Sequence, residues 1–254
     1  MKNQLFFGQP TSLDYDLELD MFSGIKINSN RTSSVPLVEF WKETDKRLEK
    51  LLARIDNGLL GQNISICFEY PTKPKLGKGK ASMTDLMLIA NGCKIAIEAK
   101  FTEYHKAKNT ETITHWLKAG DNPENREKVL TSWKSMIDGF VKEPLTESIH
   151  ELEYQFFHRT ASACFNTEKA NVVYQVFYDD ETFEDSKKYI SKLQKMVEQI
   201  KPNDKLKYFV WKIETEQLID NSEKDPFGYM KQKAAYRFLK DEIVEIKSLH
   251  SNNA

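Results

Sequence analysis

The sequence predicts an α/β protein in which helices flank a central mixed sheet, with a helical insertion and C-terminal additions. Short alternating or β-branched runs are interleaved with longer segments of helical period. Asn91-Gly92 lies between two apolar runs, which is the strongest short-range signal for a two-residue hairpin. The 254 residues suit one α/β unit with insertions, and they show no internal repeat and no linker-like tract. Residues 1–254 therefore read as a single domain.

The elements follow in order along the chain. Residues 1–34 mix aromatic pairs with Gly, Pro and Ser and show no period, so they read as an irregular arm. Leu37, Trp41, Leu48, Leu51, Leu52 and Ile55 then recur at helical spacing, with Ser34 and Pro36 suited to the helix start and Asn57-Gly58 to its end. Ile64 to Tyr70 alternates and stops at Pro71, as a strand does. Met83 to Ala90 and Cys93 to Thr102 are the two arms of the hairpin. Residues 103–145 are polar and mostly helical, with segments at Thr110 to Ala119 and Pro123 to Val141, and form an insertion over one face. Glu147 to Phe165 carries Leu152, Phe156, Thr160 and Ala163 on one helical stripe, and Val172 to Tyr178 has the β-branched and aromatic content of a strand. An extension over 181–254 adds a helix at Ser186 to Ile200, a strand at Leu206 to Ile213 and a closing helix at Tyr229 to Leu239.

Charge narrows the choice of partners. With 37 basic and 38 acidic residues the net charge is −1, so an anionic partner needs a local cluster to hold it. One such cluster exists: Lys73, Lys75, Lys78 and Lys80, with Gly77 and Gly79, lie in a stretch between Glu69 and Asp85 that has no acidic residue. No apolar run approaches the roughly 18 residues of a membrane span, and the N-terminal run Leu5 to Phe7 is broken by Gly8 and Pro10, unlike a signal or transit peptide. The expected location is the cytoplasm. Cys67, Cys93 and Cys164 are odd in number, far apart and set among apolar residues, which fits buried thiols better than disulfides or zinc.

The hairpin carries the chemistry. With Asn91 and Gly92 central in the turn, Ala90 faces Cys93 and, further along, Asp85 faces Glu98. Facing side chains on one side of a sheet have Cβ atoms about 4.5–5.5 Å apart, and Lys100 joins the same side. Leu86, Leu88, Ile95, Ile97 and Phe101 collect on the other. Two facing carboxylates repel unless a cation lies between them, and hard oxygen ligands favour Mg²⁺, with Mn²⁺ as a second choice.

Asp85 followed after twelve residues by Glu98-Ala99-Lys100 in a hairpin resembles the motif of the PD-(D/E)xK nuclease superfamily, the restriction-endonuclease-like fold. The expected element order agrees with its αβββαβ core over about residues 35–180. Thr84 stands where the family name has proline, and the second Glu-x-Lys, Glu245-Ile246-Lys247, lacks a preceding hairpin and Asp partner. The resemblance implies that Asp85 and Glu98 hold the metal with the Ala99 carbonyl, while Lys100 acts on the attacking water. It further implies an acidic residue from the first helix, Glu39 in preference to Glu43, with Glu69 as a third choice. Gln155, His158 and Arg159 share one helix face, and the resemblance assigns Gln155 to the site and Arg159 to a phosphate. The implied activity is metal-dependent hydrolysis of DNA phosphodiesters, with the Lys73 to Lys80 loop as an arm on the DNA backbone. The competing reading is a catalytically silent DNA-binding or interaction module on the same fold. The oligomeric state, homodimer included, is left open.

Overall fold

The computed structural model describes residues 4–7, 9–13, 27, 29–104, 111–119 and 121–248. Their strands form one mixed sheet of eight, in the order β2-β1-β3-β4-β5-β6-β7-β8. Two short strands, β1 (Gln4–Phe7) and β2 (Gln9–Leu13), lie at one edge. The six longer ones are β3 (Ser65–Thr72), β4 (Ser82–Ala90), β5 (Cys93–Lys100), β6 (Lys169–Tyr178), β7 (Leu206–Gln217) and β8 (Tyr236–Ile246). Pairing is parallel for β1-β3, β5-β6 and β6-β7 and antiparallel elsewhere.

Helices cover both faces. On one side α1 (Ser34–Phe40), α2 (Thr44–Ile55) and the short α7 (Pro226–Gln232) pack with Ile66, Leu86, Ile97, Val173 and Trp211. On the other, α4 (Pro123–Ile137), α5 (Tyr154–Cys164) and α6 (Phe183–Ile200) pack with Met87, Ala96, Tyr174 and Tyr208. The insertion also contributes the short α3 (Ile113–Lys118), whose Thr112 cap accepts the His115 N–H at 3.2 Å. All three cysteines are buried. Among the described residues no helix is long and apolar enough to cross a membrane.

Four sequence expectations need correction. The N-terminal arm contains β1 and β2, which extend the sheet past β3. The first helix is two helices, because Phe40 and Trp41 dock edge-on against Trp211 and the chain tightens into a 3₁₀ turn at Trp41–Glu43. Pro71 does not end β3, which runs to Thr72. Among the described residues β1 pairs with β3 only as far as Phe68, so on that side a missing N–H at Pro71 costs no ladder bond to β1. The closing helix expected at Tyr229 to Leu239 is α7 followed by β8, which lies at the sheet edge and is polar enough to hide its alternation. Lys50 and Arg54 of α2 cap the Asp241 and Ile243 carbonyls at 3.2 and 3.3 Å, blunting that edge.

Candidate active site

The hairpin register holds from Ala90↔Cys93 through Leu86↔Ile97, the pairing that Asn91-Gly92 dictates. Gly92 takes the left-handed backbone the turn needs, with φ 68°. The β4-β5 ladder stops one pair short of Asp85 and Glu98. On the other side of β4, Phe68 pairs with Leu86 and Tyr70 with Thr84, so Glu69 and Asp85 fall together in a gap of the ladder. Glu69 has φ 48°, in the left-handed region that non-glycine residues rarely adopt. The alternation slips here. Phe68 and Leu86 belong to the core under α1 and α2, whereas Tyr70, two residues on, packs on the α5 side. The slip turns the Asp85 carboxylate along the strand, where Oδ2 accepts the Ala99 N–H at 2.9 Å. Direct opposition of two carboxylates is thus replaced by a splayed pair, one of them bound to the backbone beside the other.

Glu98 is almost fully enclosed, at 1% exposure, and donors surround it. Lys100 Nζ and Gln155 Nε2 each lie 2.8 Å from Oε1. Arg159 Nε approaches Oε2 to 2.5 Å, yet neither of those two atoms makes a hydrogen bond, so the contact is an ion pair without hydrogen-bond geometry. The Arg159 Nη1 donates to Ser82 Oγ, the Met83 carbonyl and Thr84 Oγ1, fastening α5 to β4. Burial by itself would raise the Glu98 carboxyl; Arg159 and then Lys100 outweigh it and hold the group down at about 2. The Arg159 guanidinium is disfavoured by burial but is raised above its ordinary value by Glu98 and Asp85, so both carboxylates act on it. Next to it, the His158 ring lies among Trp133 and Tyr154, with Nδ1 2.8 Å from Ser82 Oγ. Burial, aided by Arg159, pulls that imidazole down to about 3.

The structure brings Glu98, Lys100, Gln155 and Arg159 together, with Asp85 beside them. It does not bring Glu39. That residue sits on the other side of the sheet, buried in α1, where it takes the Lys42 ammonium at 3.1 Å and the Ala235 N–H at 3.4 Å. Glu43 is on the same side, exposed and paired with Lys46 and Arg47. Of the three acidic candidates, Glu69 is the one level with Asp85. Arg159, expected on a phosphate, is buried against Glu98, because four residues along a helix set a face but not a partner. The sequence reading missed Ser82, which His158, Arg159 and Ser162 all reach; its place at the head of a strand rich in apolar residues was the available signal.

The four loop lysines are exposed on a segment that is held, not free. Asn125 of α4 grips Lys78 from both sides, accepting its N–H at 2.6 Å and donating to its carbonyl at 2.7 Å. Ser132 Oγ accepts the Lys75 N–H at 2.5 Å. Gly77, at φ 78°, passes so close to α4 that a Cβ there would meet Val129 Cγ2 at 2.7 Å.

A profile of the family described as Domain of unknown function (DUF6946) matches residues 10–217. The chain belongs to that DUF6946 family. The match takes in β3 to β7 with the whole cluster around Glu98 and ends with the last residue of β7, leaving α7 and β8 outside it. No curated protein and no solved structure matches the chain.

The donor chemistry fits a hard divalent cation. Two buried oxygens at the cluster, Glu98 Oε2 and Gln155 Oε1, accept no hydrogen bond from the described residues, and Asp85 supplies a second carboxylate, bound to the N–H of Ala99 beside Glu98. Among the described residues no three His, Cys, Asp or Glu side chains are grouped so as to hold a metal ion.

Proposed function

We propose that this protein is a metal-dependent deoxyribonuclease of the PD-(D/E)xK type, acting with Mg²⁺ or Mn²⁺ in a reducing, cytoplasmic setting. The observation that carries this reading is the meeting of Lys100 and Gln155, from a hairpin and a facing helix, on the buried Glu98 carboxylate, with half-buried Asp85 bound to the neighbouring Ala99 N–H. Asp85 and Glu98 would hold the cation, with Gln155 Oε1 as a neutral oxygen. A bound divalent ion supplies Lewis acidity and lowers the pKa of its water. Lys100, kept near Glu98 by its 2.8 Å bond, is placed to orient a water and to offset negative charge developing on a phosphate. Arg159 fixes α5 against β4 and, through Glu98, against β5, and so sets the position of Gln155. The Lys73 to Lys80 loop, braced on α4, offers a preset row of ammonium groups to a DNA backbone, for which flexibility would cost binding energy.

One observation favours a second reading. Glu98 already carries two cations, which is what a non-catalytic DNA-binding module on the same fold would need to stay folded without metal. Two variants separate the readings. Asp85→Asn removes an anionic ligand, so Mn²⁺ affinity and DNA cleavage should fall together. Lys100→Ala should leave Mn²⁺ binding largely intact while cleavage drops by orders of magnitude, roughly 10²-fold or more. Unchanged Mn²⁺ affinity in Asp85→Asn would remove the metal-site assignment, and DNA binding without cleavage by the wild type would favour the silent module.

A further inference from the structure

We infer that Arg159 is a resident counter-ion of the metal-binding carboxylate, which a divalent cation has to displace from Glu98 Oε2; the inference rests on the nuclease reading of this cluster. Three features carry it. Oε1 is occupied by two well-formed hydrogen bonds, from Lys100 and Gln155, whereas Oε2 accepts none from the described residues and is met by Arg159 Nε at 2.5 Å. That Nε is also without a hydrogen bond, so the pair is held by charge in a closed space and not by the planar fork that guanidinium and carboxylate prefer. The far end of the guanidinium is tied independently, through Nη1 to the Met83 carbonyl, Ser82 Oγ and Thr84 Oγ1.

These features have a consequence for binding. Nε can leave Oε2 while Nη1 stays anchored on β4, so displacement needs only a swing about a fixed end and leaves α5 fastened to β4. Arginine does not shed its proton at any ordinary pH, so the displaced group stays cationic and opposes the incoming ion. Arg159 therefore lowers metal affinity and keeps Glu98 neutralised when no ion is bound. Removing it should reverse both effects: tighter metal binding, and a fold that depends on metal because a buried carboxylate has lost a partner.

The test is Mn²⁺ titration of the full chain, followed by the paramagnetic resonance signal of free Mn²⁺, for wild type and Arg159→Met, with melting temperatures recorded with and without Mn²⁺. Arg159→Met should bind Mn²⁺ roughly tenfold tighter or more, the size of an ordinary coupling between two sites, and Mn²⁺ should raise its melting temperature more than that of the wild type. Equal or weaker binding by the variant overturns the inference and leaves the nuclease reading standing. Absence of Mn²⁺ binding by both proteins overturns both. If Arg159→Met does not fold, the wild type still decides: adding Mg²⁺ should move the Arg159 Nε–H resonance in a ¹⁵N spectrum, and saturation with Mg²⁺ that leaves the resonance in place refutes the displacement.

Discussion

Acid should destabilise this protein through His158, whose imidazole the fold keeps neutral. The folded imidazole is held down at about 3 against an ordinary 6.5, by burial and then by Arg159, with Glu98 opposing and Lys100 adding to the fall. Between those two values the unfolded chain binds a proton that the folded chain refuses. Stability is thus complete above pH 6.5 and declines as pH drops toward 3. If the full shift is expressed, the loss between pH 7 and pH 5 is about 2 kcal/mol; the residue is not completely enclosed, and solvent screening brings the expected figure to roughly 1–2 kcal/mol. The assay is urea unfolding at pH 7, 6 and 5 for wild type and His158→Asn, which keeps a polar atom near the Ser82 hydroxyl but does not titrate. The variant should lose less stability than the wild type over this interval, by that amount. Parallel pH profiles for the two proteins would refute the reasoning.

Two more outcomes concern the loop and its brace. Replacing Lys73, Lys75, Lys78 and Lys80 with Gln should weaken DNA binding and flatten its salt dependence, by up to about 0.9 in the slope of log K against log salt for each phosphate left without a lysine, with the metal requirement unchanged; an unaltered slope in a fluorescence-anisotropy salt series would exclude these lysines from the interface. Gly77→Ala adds strain at φ 78° and a clash with Val129, so it should cost about 1–3 kcal/mol in stability or unseat the loop. Faster amide exchange at Lys75 and Lys78 in this variant would report the loss of the Ser132 and Asn125 bonds, and unchanged exchange and stability would show that the close approach to α4 is not a constraint.

The hairpin was legible because Asn-Gly imposes one turn geometry, and that geometry fixes register as far as Leu86 and Ile97. It could not reveal the slip at Glu69 and Asp85, since a left-handed glutamate leaves no glycine to mark it. Gln155 was legible from helix period and a motif. The partner of Arg159 was not, because the same spacing serves a phosphate outside or a carboxylate inside, and only tertiary packing chooses between them. Glu39 was misplaced for a related reason. Its helix was read as one continuous ridge, but the break at Trp41 and the docking of the aromatic pair on Trp211 commit α1 to the far face. In the C-terminal extension the expected helix overlaps α7 only over 229–232, while the edge strand after it alternates too weakly to compete.

The central claim is metal-dependent hydrolysis of DNA at the Asp85 and Glu98 pair. Its most direct test is incubation of the purified chain with supercoiled, linear and single-stranded DNA in the presence of Mg²⁺, Mn²⁺ or EDTA, beside Asp85→Asn. Cleavage of at least one substrate with Mg²⁺ or Mn²⁺, abolished by EDTA and lost in Asp85→Asn, is the predicted result. No cleavage of any substrate with either ion, or cleavage that survives in both EDTA and Asp85→Asn, would contradict it.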